Sequence, residues 1–447
     1  MLAEVRGHAN QKYYIYKTII LNNLFGVDIM PEAVEIAKLR LFLKLVSQVD
    51  TAEQLEPLPD IDFNLRTGNT LVGFATLDEA RRVVKGEDNA KGMKLFTDAL
   101  ELIEEKARDV DRLFLRFREA QIKHGQRVTH KDKRALRDRL SVLETELNGY
   151  LAGEYGIDPR KKARHERWLQ SHKPFHWFVD FYGIMKAGGF DVVIGNPPYV
   201  VFPSENVPYR FLEGTYRTID TKNLYALFFE RSLSLARSSV PVGLIVQLTS
   251  LSSERVRSLQ DLLSDRGTIH AIPFPRRPES VFEGVEMPVA ILISLGGSAK
   301  GLLTTNVNRF YTEERPSVMR QLVFASHSVR THGHRIAKFG EPVEVAIFGK
   351  LAKSEGNLGQ YAAAKETDHL LYYQEACRYW AKAQNTIPRF PETESGPCRT
   401  TGASFISGTQ RALRTPLVYL TRPYSIGFIL ASQIVSTLTI AWYAPSL

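Results

Sequence analysis

The sequence has little cysteine and no convincing leader or membrane-spanning segment. Its 447 residues contain two cysteines, too few for a disulfide framework or a zinc site, which predicts a location in the reducing cytoplasm. The N-terminus lacks the apolar core of a signal peptide. Residues 423–447 carry no charge, but serine, threonine and glutamine interrupt their apolar run. We therefore expect a buried helix or strand–helix pair there rather than a membrane anchor.

Signatures of metal and nuclease chemistry are missing as well. No carboxylate–histidine spacing accompanies His172 or His176, so both are expected to be packed or exposed rather than metal ligands. The pair Pro59-Asp60 has no suitable Glu-X-Lys follower for a nuclease centre. The sequence therefore predicts neither a metal site nor a nuclease, and it shows no internal repeat.

The composition is that of a globular protein with a basic charge. Hydrophobic residues make up 44% and charged residues 24% of the chain, which is typical of a folded protein with a sizeable core. The net charge of +9 favours a polyanionic partner without identifying it.

The most informative stretch is Phe190–Val200. A short apolar run ends in a glycine and continues directly as Asn196–Tyr199, which reads Asn-Pro-Pro-Tyr. Such a run suits a strand that is buried on both faces of a parallel sheet. Because ligands bind beyond the carboxyl ends of such strands, Asn196–Tyr199 lies where chemistry is expected.

The residue types in this turn suit methylation of an aromatic amine. The lone pair of such an amine is delocalised into the ring, and two acceptors that grip its hydrogens would free it. The Asn196 side-chain oxygen can be one acceptor, and the Pro197 carbonyl, held by a stiff Pro-Pro step, can be the other. Tyr199 offers a flat face on which a base can stack, worth roughly 1–3 kcal/mol per base.

With that apolar run in front of it, the turn resembles the motif of the amino-methyltransferases that carry Asn-Pro-Pro-Tyr. It looks most like the adenine-specific DNA methyltransferases of the large restriction–modification and phage-exclusion enzymes. The resemblance implies a Rossmann-like α/β core that uses S-adenosylmethionine, with Asn196, Pro197, Pro198 and Tyr199 as the catalytic motif and Asn196 also at the cofactor. It implies double-stranded DNA as the partner, with the target adenine flipped out of the helix.

A second stretch, residues 24–37, predicts a strand that ends in Asp28 and turns into a helix opened by Pro31. An acid in this position holds ribose hydroxyls in nucleotide-binding sheets, although capping of the helix would explain it equally well. The stretch resembles the second motif of the same methyltransferases. The resemblance implies that Asp28 and Ile29 bind S-adenosylmethionine.

The glycine-rich turn that should precede this acid is missing. Gly7 is the one glycine upstream of residue 24, and no strand signal precedes it. Residues 295–301 imitate such a turn but are expected to form a hairpin loop. We therefore expect a core that is incomplete at its N-terminus, so that a preceding segment or a partner subunit supplies the glycine motif.

Two weaker stretches also resemble the family. Residues 61–73 resemble its third motif, which places Asn69 and Thr70 at the adenine ring of the cofactor, with asparagine where aspartate is common. Residues 274–293 resemble a hairpin beside the base pocket. There Phe282 is either a second stacking face opposite Tyr199 or a core residue.

Composition divides the remainder of the chain. Leucines at three- and four-residue intervals predict a helical hairpin from residues 98–121 and 130–151. Its charges are expected to be mostly solvated, or alternatively to contact DNA phosphates through five residues. These are Lys131, Lys133, Arg134, Arg137 and Arg139.

The sequence thus predicts a Rossmann-like methyltransferase core with a helical insertion and a partial recognition region. The predicted segments are 1–75 and 188–306 for the two parts of the core, 76–187 for the insertion, and 307–447 for a linker and the start of target recognition. The predicted activity is transfer of methyl to the N6 amine of adenine in DNA, in restriction–modification or phage defence. Two alternatives stay open, an inactive fragment or DNA-binding subunit that needs a partner, and a methyltransferase that acts on RNA or a protein glutamine.

Overall fold

A computed structural model describes most of the chain. The described residues are 2–51, 56–84, 90–123, 130–284, 287–331, 335–353, 370–374, 383–384, 403–407 and 439–442. By contacts they form two compact units, one of residues 1–340 with 427–447 and the other of residues 341–426. The predicted segment boundaries at 75, 187 and 306 stay predictions.

The larger unit is built on a nine-stranded sheet of order β2-β1-β14-β3-β4-β6-β5-β7-β8. Its strands are β1 (Leu24–Asp28), β2 (Leu65–Thr67), β3 (Val192–Gly195), β4 (Pro241–Gln247), β5 (Gly267–Phe274), β6 (Val289–Gly296), β7 (Gly301–Thr304), β8 (Ala325–His327) and β14 (Thr439–Trp442). A small two-stranded sheet pairs β9 (Arg330–Thr331) with β10 (Arg335–Ile336).

Most strands of this sheet run in one direction. The pairs β1–β2, β3–β4 and β5–β7 are parallel, whereas β6, β8 and β14 run antiparallel to their neighbours. The carboxyl ends of β1, β2, β3 and β4 therefore meet at one edge. With helices between these strands, the sheet confirms the predicted Rossmann-like α/β core.

Helices connect the strands and flank the sheet. They are α1 (Leu2–Gly7), α2 (Gln11–Asn23), α3 (Pro31–Val46), α4 (Leu77–Val84), α5 (Ala90–Lys123), α6 (His130–Glu154), α7 (Lys162–His172), α8 (Trp177–Asp180), α9 (Tyr182–Lys186), α10 (Leu224–Leu235) and α11 (Arg257–Arg266). Pro31 opens α3 at its first position, as the sequence predicts. Phe190, Val193 and Phe229 are among the fully buried side chains of the core.

The predicted helical hairpin is confirmed as α5 and α6. Leu136, Leu140 and Leu143 are buried along one side of α6 and pack in one cluster with Leu100 and Ile103 of α5. The three- and four-residue spacing of these leucines produces that apolar stripe. The predicted turn, residues 123–128, lies almost wholly outside the described residues.

Two of the basic residues that were candidates for DNA phosphates are committed to ion pairs inside the molecule. Lys133 of α6 pairs with Asp60 and Asp62, and Arg137 pairs with Asp62 at 2.5 Å. Lys38 of α3 also binds Asp62, at 2.7 Å. These contacts fasten the helical hairpin to the segment before β2, because opposite charges there are partly withdrawn from water.

Strand β14 is a part of the sheet that the sequence does not reveal. Thr439–Trp442 belong to the stretch for which a buried helix or strand–helix pair is predicted, and they form a strand between β1 and β3. Residues 423–438 and 443–447 lie outside the described residues.

The described residues of the smaller unit form one helix and a small sheet. Helix α12 spans Pro342–Ala352, and an antiparallel sheet has the order β12-β11-β13. Its strands are β11 (Leu370–Gln374), β12 (Ala383–Gln384) and β13 (Ala403–Ser407). Within the part of the chain that was searched, no helix is long and apolar enough to cross a membrane.

The charge cluster around Asp62 yields a prediction for stability. Burial alone would raise the Asp62 pKa, but hydrogen bonds from Lys133 and Lys38 outweigh it and lower that pKa to about 2. We expect Asp62→Asn to reduce the free energy of unfolding by about 1–2 kcal/mol at pH 7. Because the folded-state pKa is depressed, this stabilisation is present above the usual aspartate pKa and is lost as the pH falls through about 2.

Urea unfolding of Asp62→Asn at pH 7 measures that loss. Asp138→Asn is the matched control, since Asp138 pairs with Arg134 at 3.9 Å on the exposed surface of α6. Equal stability of the two variants would contradict a role for Asp62 in holding the hairpin.

Candidate active site

The carboxyl edge of the sheet carries the residues to which the sequence assigns chemistry. β1 ends at Asp28, β2 is followed by Asn69 and Thr70, and β3 is followed by Asn196. The backbone N–H of Gly68 donates to the Asp28 carbonyl at 2.9 Å, so the ends of β1 and β2 are held together. Parallel strands thus deliver these side chains to one side of the molecule.

Asp28 is a buried carboxylate with one oxygen unpaired. The residue is 3% exposed, and its Oδ1 accepts a hydrogen bond of 2.8 Å from the Met30 N–H at the start of α3. Its Oδ2 is buried and has no hydrogen-bond partner. Burial raises the pKa of Asp28 to about 6, although the Met30 hydrogen bond opposes that shift. Helix capping accounts for Oδ1 alone, so Oδ2 is the atom that points to a ligand.

Asn69 occupies a tight turn after β2. Its Oδ1 accepts from the Leu71 N–H at 3.1 Å, and its own N–H donates to the Lys173 carbonyl at 2.7 Å. Its Nδ2 is buried without a hydrogen bond of normal geometry, although its side chain lies near the Tyr209 hydroxyl. Thr70 beside it is 4% exposed. Asn69 therefore shapes the turn and has one amide donor left for another group.

A glycine makes this turn possible. Gly73 has a φ of +121°, and a Cβ placed there would collide with the carbonyl of Phe175. The Phe175 N–H in turn donates to the Val72 carbonyl at 2.8 Å. The close approach fixes the turn against the segment after α7, because a larger residue would have to displace backbone atoms.

Ile29 lies between Asp28 and the start of α3. Its side chain is partly buried, and its carbonyl accepts a hydrogen bond of 3.2 Å from Lys173 Nζ. The structure thus places Asp28, Ile29, Asn69 and Thr70 along the ends of β1 and β2. Their contact with the cofactor stays a prediction.

The Asn196–Tyr199 turn leaves β3 directly. Asn196, Pro198 and Tyr199 are partly exposed and Pro197 is buried. The Tyr199 hydroxyl lies 3.1 Å from Asn196 Oδ1 and 3.0 Å from the Ile245 carbonyl of β4. Burial raises the pKa of Tyr199, so the phenol stays protonated at neutral pH.

Asp28 at the end of β1 and the Asn196–Tyr199 turn at the end of β3 lie two strands apart in the sheet. β14 separates β1 from β3, so at about 4.8 Å per strand the end of β1 lies about 10 Å from the end of β3. Strand β14 is antiparallel to both and begins at this edge with Thr439, which pairs with Val27. A spacing of this size suits one ligand that spans both strand ends.

Phe282 lies on the loop between β5 and β6, at the same edge of the sheet. It is partly buried, and its carbonyl accepts a hydrogen bond of 2.6 Å from the Ser280 hydroxyl. Its neighbour Val281 packs in a cluster that also contains Tyr199. The structure brings this loop towards Tyr199, and the stacking role of Phe282 stays a prediction.

Of the two alternatives that the sequence leaves for His172 and His176, packed or exposed, the structure shows both residues packed. His176 is completely buried between the Phe74 N–H, at 3.3 Å, and Asn148 Oδ1, at 3.1 Å. Burial lowers its pKa to about 3, with a smaller contribution from Arg231, so it is neutral. His172 is largely buried and packs against Trp168. Among the residues searched, no cluster of three His, Cys, Asp or Glu side chains could hold a metal.

Comparison with protein families places the chain in a known group. Residues 22–282 match the Eco57I restriction-modification methylase family. The chain belongs to that family. The match spans both Asp28 and Asn196 and confirms the resemblance to a restriction-modification methyltransferase. Membership of a methylase family supports S-adenosylmethionine as the cofactor.

A longer relative and several solved structures are similar to the chain. A type II restriction enzyme and methyltransferase of Methanocaldococcus jannaschii is 30% identical over 321 residues, which cover 62% of this chain and 26% of that protein. The chain therefore spans about a quarter of the length of this relative.

Two solved structures illustrate the similarity at low identity. The type ISP restriction-modification enzyme LlaGI, solved as a nuclease-deletion mutant with a DNA substrate mimic, is 10% identical and has a TM-score of 0.29, with coverage of 77% of this chain and 46% of that chain. A type I methyltransferase subunit from Streptococcus thermophilus is 12% identical with a TM-score of 0.23, covering 48% and 41% of the two chains. These scores are too low to define the fold, which rests on the strand order.

The residues at the end of β1 fit the ribose part of S-adenosylmethionine. A ribose presents two hydroxyl donors, and Asp28 Oδ2 is a buried acceptor that lacks a donor. A hydrogen bond to an ionised carboxylate is about twice as strong as a neutral one. The unpaired oxygen therefore favours a hydroxyl-bearing ligand at this strand end.

We expect Asp28→Asn to stabilise the unliganded protein. The folded-state pKa is raised, to about 6, so the carboxylate costs stability once it ionises, and that cost is absent below the usual aspartate pKa. The variant should gain about 1–2 kcal/mol in free energy of unfolding at pH 8 and much less at pH 4, which is close to the usual aspartate pKa. S-adenosylmethionine should bind it about 10-fold more weakly, since a charge-assisted hydrogen bond is lost.

Thermal unfolding at the two pH values and calorimetric titration at pH 8 measure both effects. Asp109→Asn is the control, because Asp109 is exposed on α5. A gain in stability that is equal at pH 4 and pH 8 would contradict the assignment of an unpaired buried charge.

Proposed function

We propose that the chain binds S-adenosylmethionine and transfers its methyl group to the exocyclic N6 amine of adenine in DNA. One observation carries this proposal. The Asn196–Tyr199 turn and the unpaired Asp28 oxygen lie at the same edge of the sheet, two strands apart. Membership of a restriction-modification methylase family and the net charge of +9 support DNA as the substrate.

Each residue has a distinct part in this mechanism. Asp28 holds the ribose, while the Asn196 side-chain oxygen and the Pro197 carbonyl accept the two hydrogens of the target amine. These two hydrogen bonds localise the lone pair on the amine nitrogen. The bound cofactor supplies an electrophilic methyl group on a sulfonium. With the cofactor bound, the nitrogen held by Asn196 and Pro197 would take that methyl group, the S–C electron pair would stay on sulfur, and the amine would lose one proton to water.

Orientation is the main contribution of the protein. Asn196 and Pro197 act through polar groups fixed before the substrate arrives, which lowers the barrier without reorganisation. Tyr199 presents an aromatic ring beside them, on which a base that has left the duplex can stack. Removal of an adenine from the duplex costs a few kcal/mol, which stacking of this kind offsets.

Transfer of tritiated methyl from S-adenosylmethionine to unmethylated plasmid DNA, with total RNA and total protein offered in parallel reactions, tests this function. After digestion to nucleosides, the label should be found in N6-methyladenine. Label in N4-methylcytosine would refute the adenine assignment, and label in RNA or protein but not DNA would support the alternative substrates. Absence of transfer to all three would refute the activity of this chain.

We expect Asn196→Ala to reduce kcat at least 100-fold, because one of the two acceptors for the amine is removed. The affinity for S-adenosylmethionine should change less than about threefold, since Asp28 is intact. Asn22→Ala is the matched control, because Asn22 is on α2 near the opposite edge of the sheet. Retained activity of Asn196→Ala would refute its role.

A further inference from the structure

The hydroxyl of Tyr199 has a definite position in the sheet, in addition to the aromatic ring. β3 and β4 are parallel with Gly195 opposite Leu244, so the next pair is Asn196 and Ile245. In a parallel ladder in which Ile245 faces β3, its carbonyl would accept from the N–H of the residue after Asn196. That residue is Pro197, which has no N–H. The Tyr199 hydroxyl, 3.0 Å away, satisfies the carbonyl instead.

The same hydroxyl lies 3.1 Å from the Asn196 amide. A phenol has one hydrogen, and the Ile245 carbonyl can only accept. If the phenol donates this hydrogen to the Ile245 carbonyl, the phenol oxygen can only accept from Asn196. An Asn196 amide oxygen at this position would then face another acceptor, with no hydrogen between them. The oxygen and nitrogen of an asparagine amide are nearly identical in shape, and their assignment follows from the hydrogen-bond network. With the amide turned by 180°, its nitrogen donates to the phenol oxygen, and the phenol hydrogen is left for the Ile245 carbonyl.

We propose that Tyr199 is a positioning residue, whose hydroxyl accepts from Asn196 Nδ2 while it donates to the Ile245 carbonyl. This pair of hydrogen bonds, called the relay below, fixes the Asn196 amide with its oxygen on the side away from Tyr199. That oxygen is the acceptor for the target amine, so the inference rests on the proposed function and deepens it. Donation through Nδ2 also polarises the amide and increases the electron density on its oxygen.

The packing around Tyr199 holds the relay in place. Its ring meets Tyr225 edge-to-face with 6.3 Å between ring centroids. It also packs against two core clusters, one of which contains Phe274 and the other Val246. A ring fixed on several sides leaves its hydroxyl few alternative positions. The hydroxyl can therefore orient an amide that is itself partly exposed.

Tyr199→Phe separates the hydroxyl from the ring. The variant keeps the stacking surface, so the KM for DNA and the affinity for S-adenosylmethionine should stay within about twofold of the wild type. kcat should fall about 10- to 100-fold, because the Asn196 amide loses the partner that orients it. Tyr225→Phe is the matched control, since it removes a buried phenol from the neighbouring ring, whose hydroxyl contacts Thr249 instead. It should keep the wild-type kcat.

A second measurement does not depend on activity. In protein labelled with ¹⁵N-asparagine, the side-chain amide signal of Asn196 is assigned by its loss in Asn196→Asp. In the wild type, this signal should be shifted from the position of a solvent-exposed asparagine amide and its hydrogens should exchange slowly with water. Tyr199→Phe should lose both properties. Tyr225→Phe should keep the wild-type signal.

An unchanged Asn196 amide signal in Tyr199→Phe, or a wild-type kcat for that variant, would overturn the positioning role. If the wild type transfers no methyl to any substrate, the proposed function fails, while the amide signal still decides whether the relay exists.

Discussion

The common direction of β1, β2, β3 and β4 is the constraint on which the site depends. Because these strands stop at the same edge, residues that are far apart in the chain, Asp28, Asn69 and Asn196, are delivered to one side of the sheet. The arrangement needs no further device to bring them together. It also explains why the helical insertion between β2 and β3 can be long, since it only has to return the chain to the sheet.

The Asp28 carboxylate and the Asn196 amide lie at this edge and are held in different ways. Each has a fixed position before a ligand binds. Asp28 keeps an unpaired buried oxygen, which costs stability that a ligand can recover. The Asn196 amide instead lies beside the Tyr199 hydroxyl of the same turn, which is also within hydrogen-bond distance of the Ile245 carbonyl. The β1 end of the site therefore lacks a hydrogen-bond donor for Asp28, whereas the Asn196 amide at the β3 end already has its orientation set.

The sequence predicts the features that depend on local pattern. The run before Asn196, the strand that ends in Asp28 and the leucine spacing of α6 each have a period or a boundary that can be read directly. The family match confirms the resemblance to restriction-modification methyltransferases, and the roles of the motif residues stay predictions. The coincidence of Asp28 and Asn196 at one edge also follows from the sequence, because parallel strands are implied by apolar runs alternating with helices.

Features that depend on distant pairing are not predictable in this way. The pairs of Lys133 and Arg137 with Asp62 join residues more than seventy positions apart, and a charge run does not say which charges are paired. The position of β14 follows from four residues that carry no distinctive signal. The partner of the Tyr199 hydroxyl depends on the register of β3 and β4, which the sequence does not specify.

A crystal structure of the chain with S-adenosylhomocysteine tests the central claim most directly, because it shows where one ligand contacts both strand ends. We predict that its ribose hydroxyls donate to Asp28 Oδ2 and that its sulfur lies on the side of Asn196. A ligand bound elsewhere, or bound here with Asp28 Oδ2 still unpaired, would contradict the assignment of this edge as the active site.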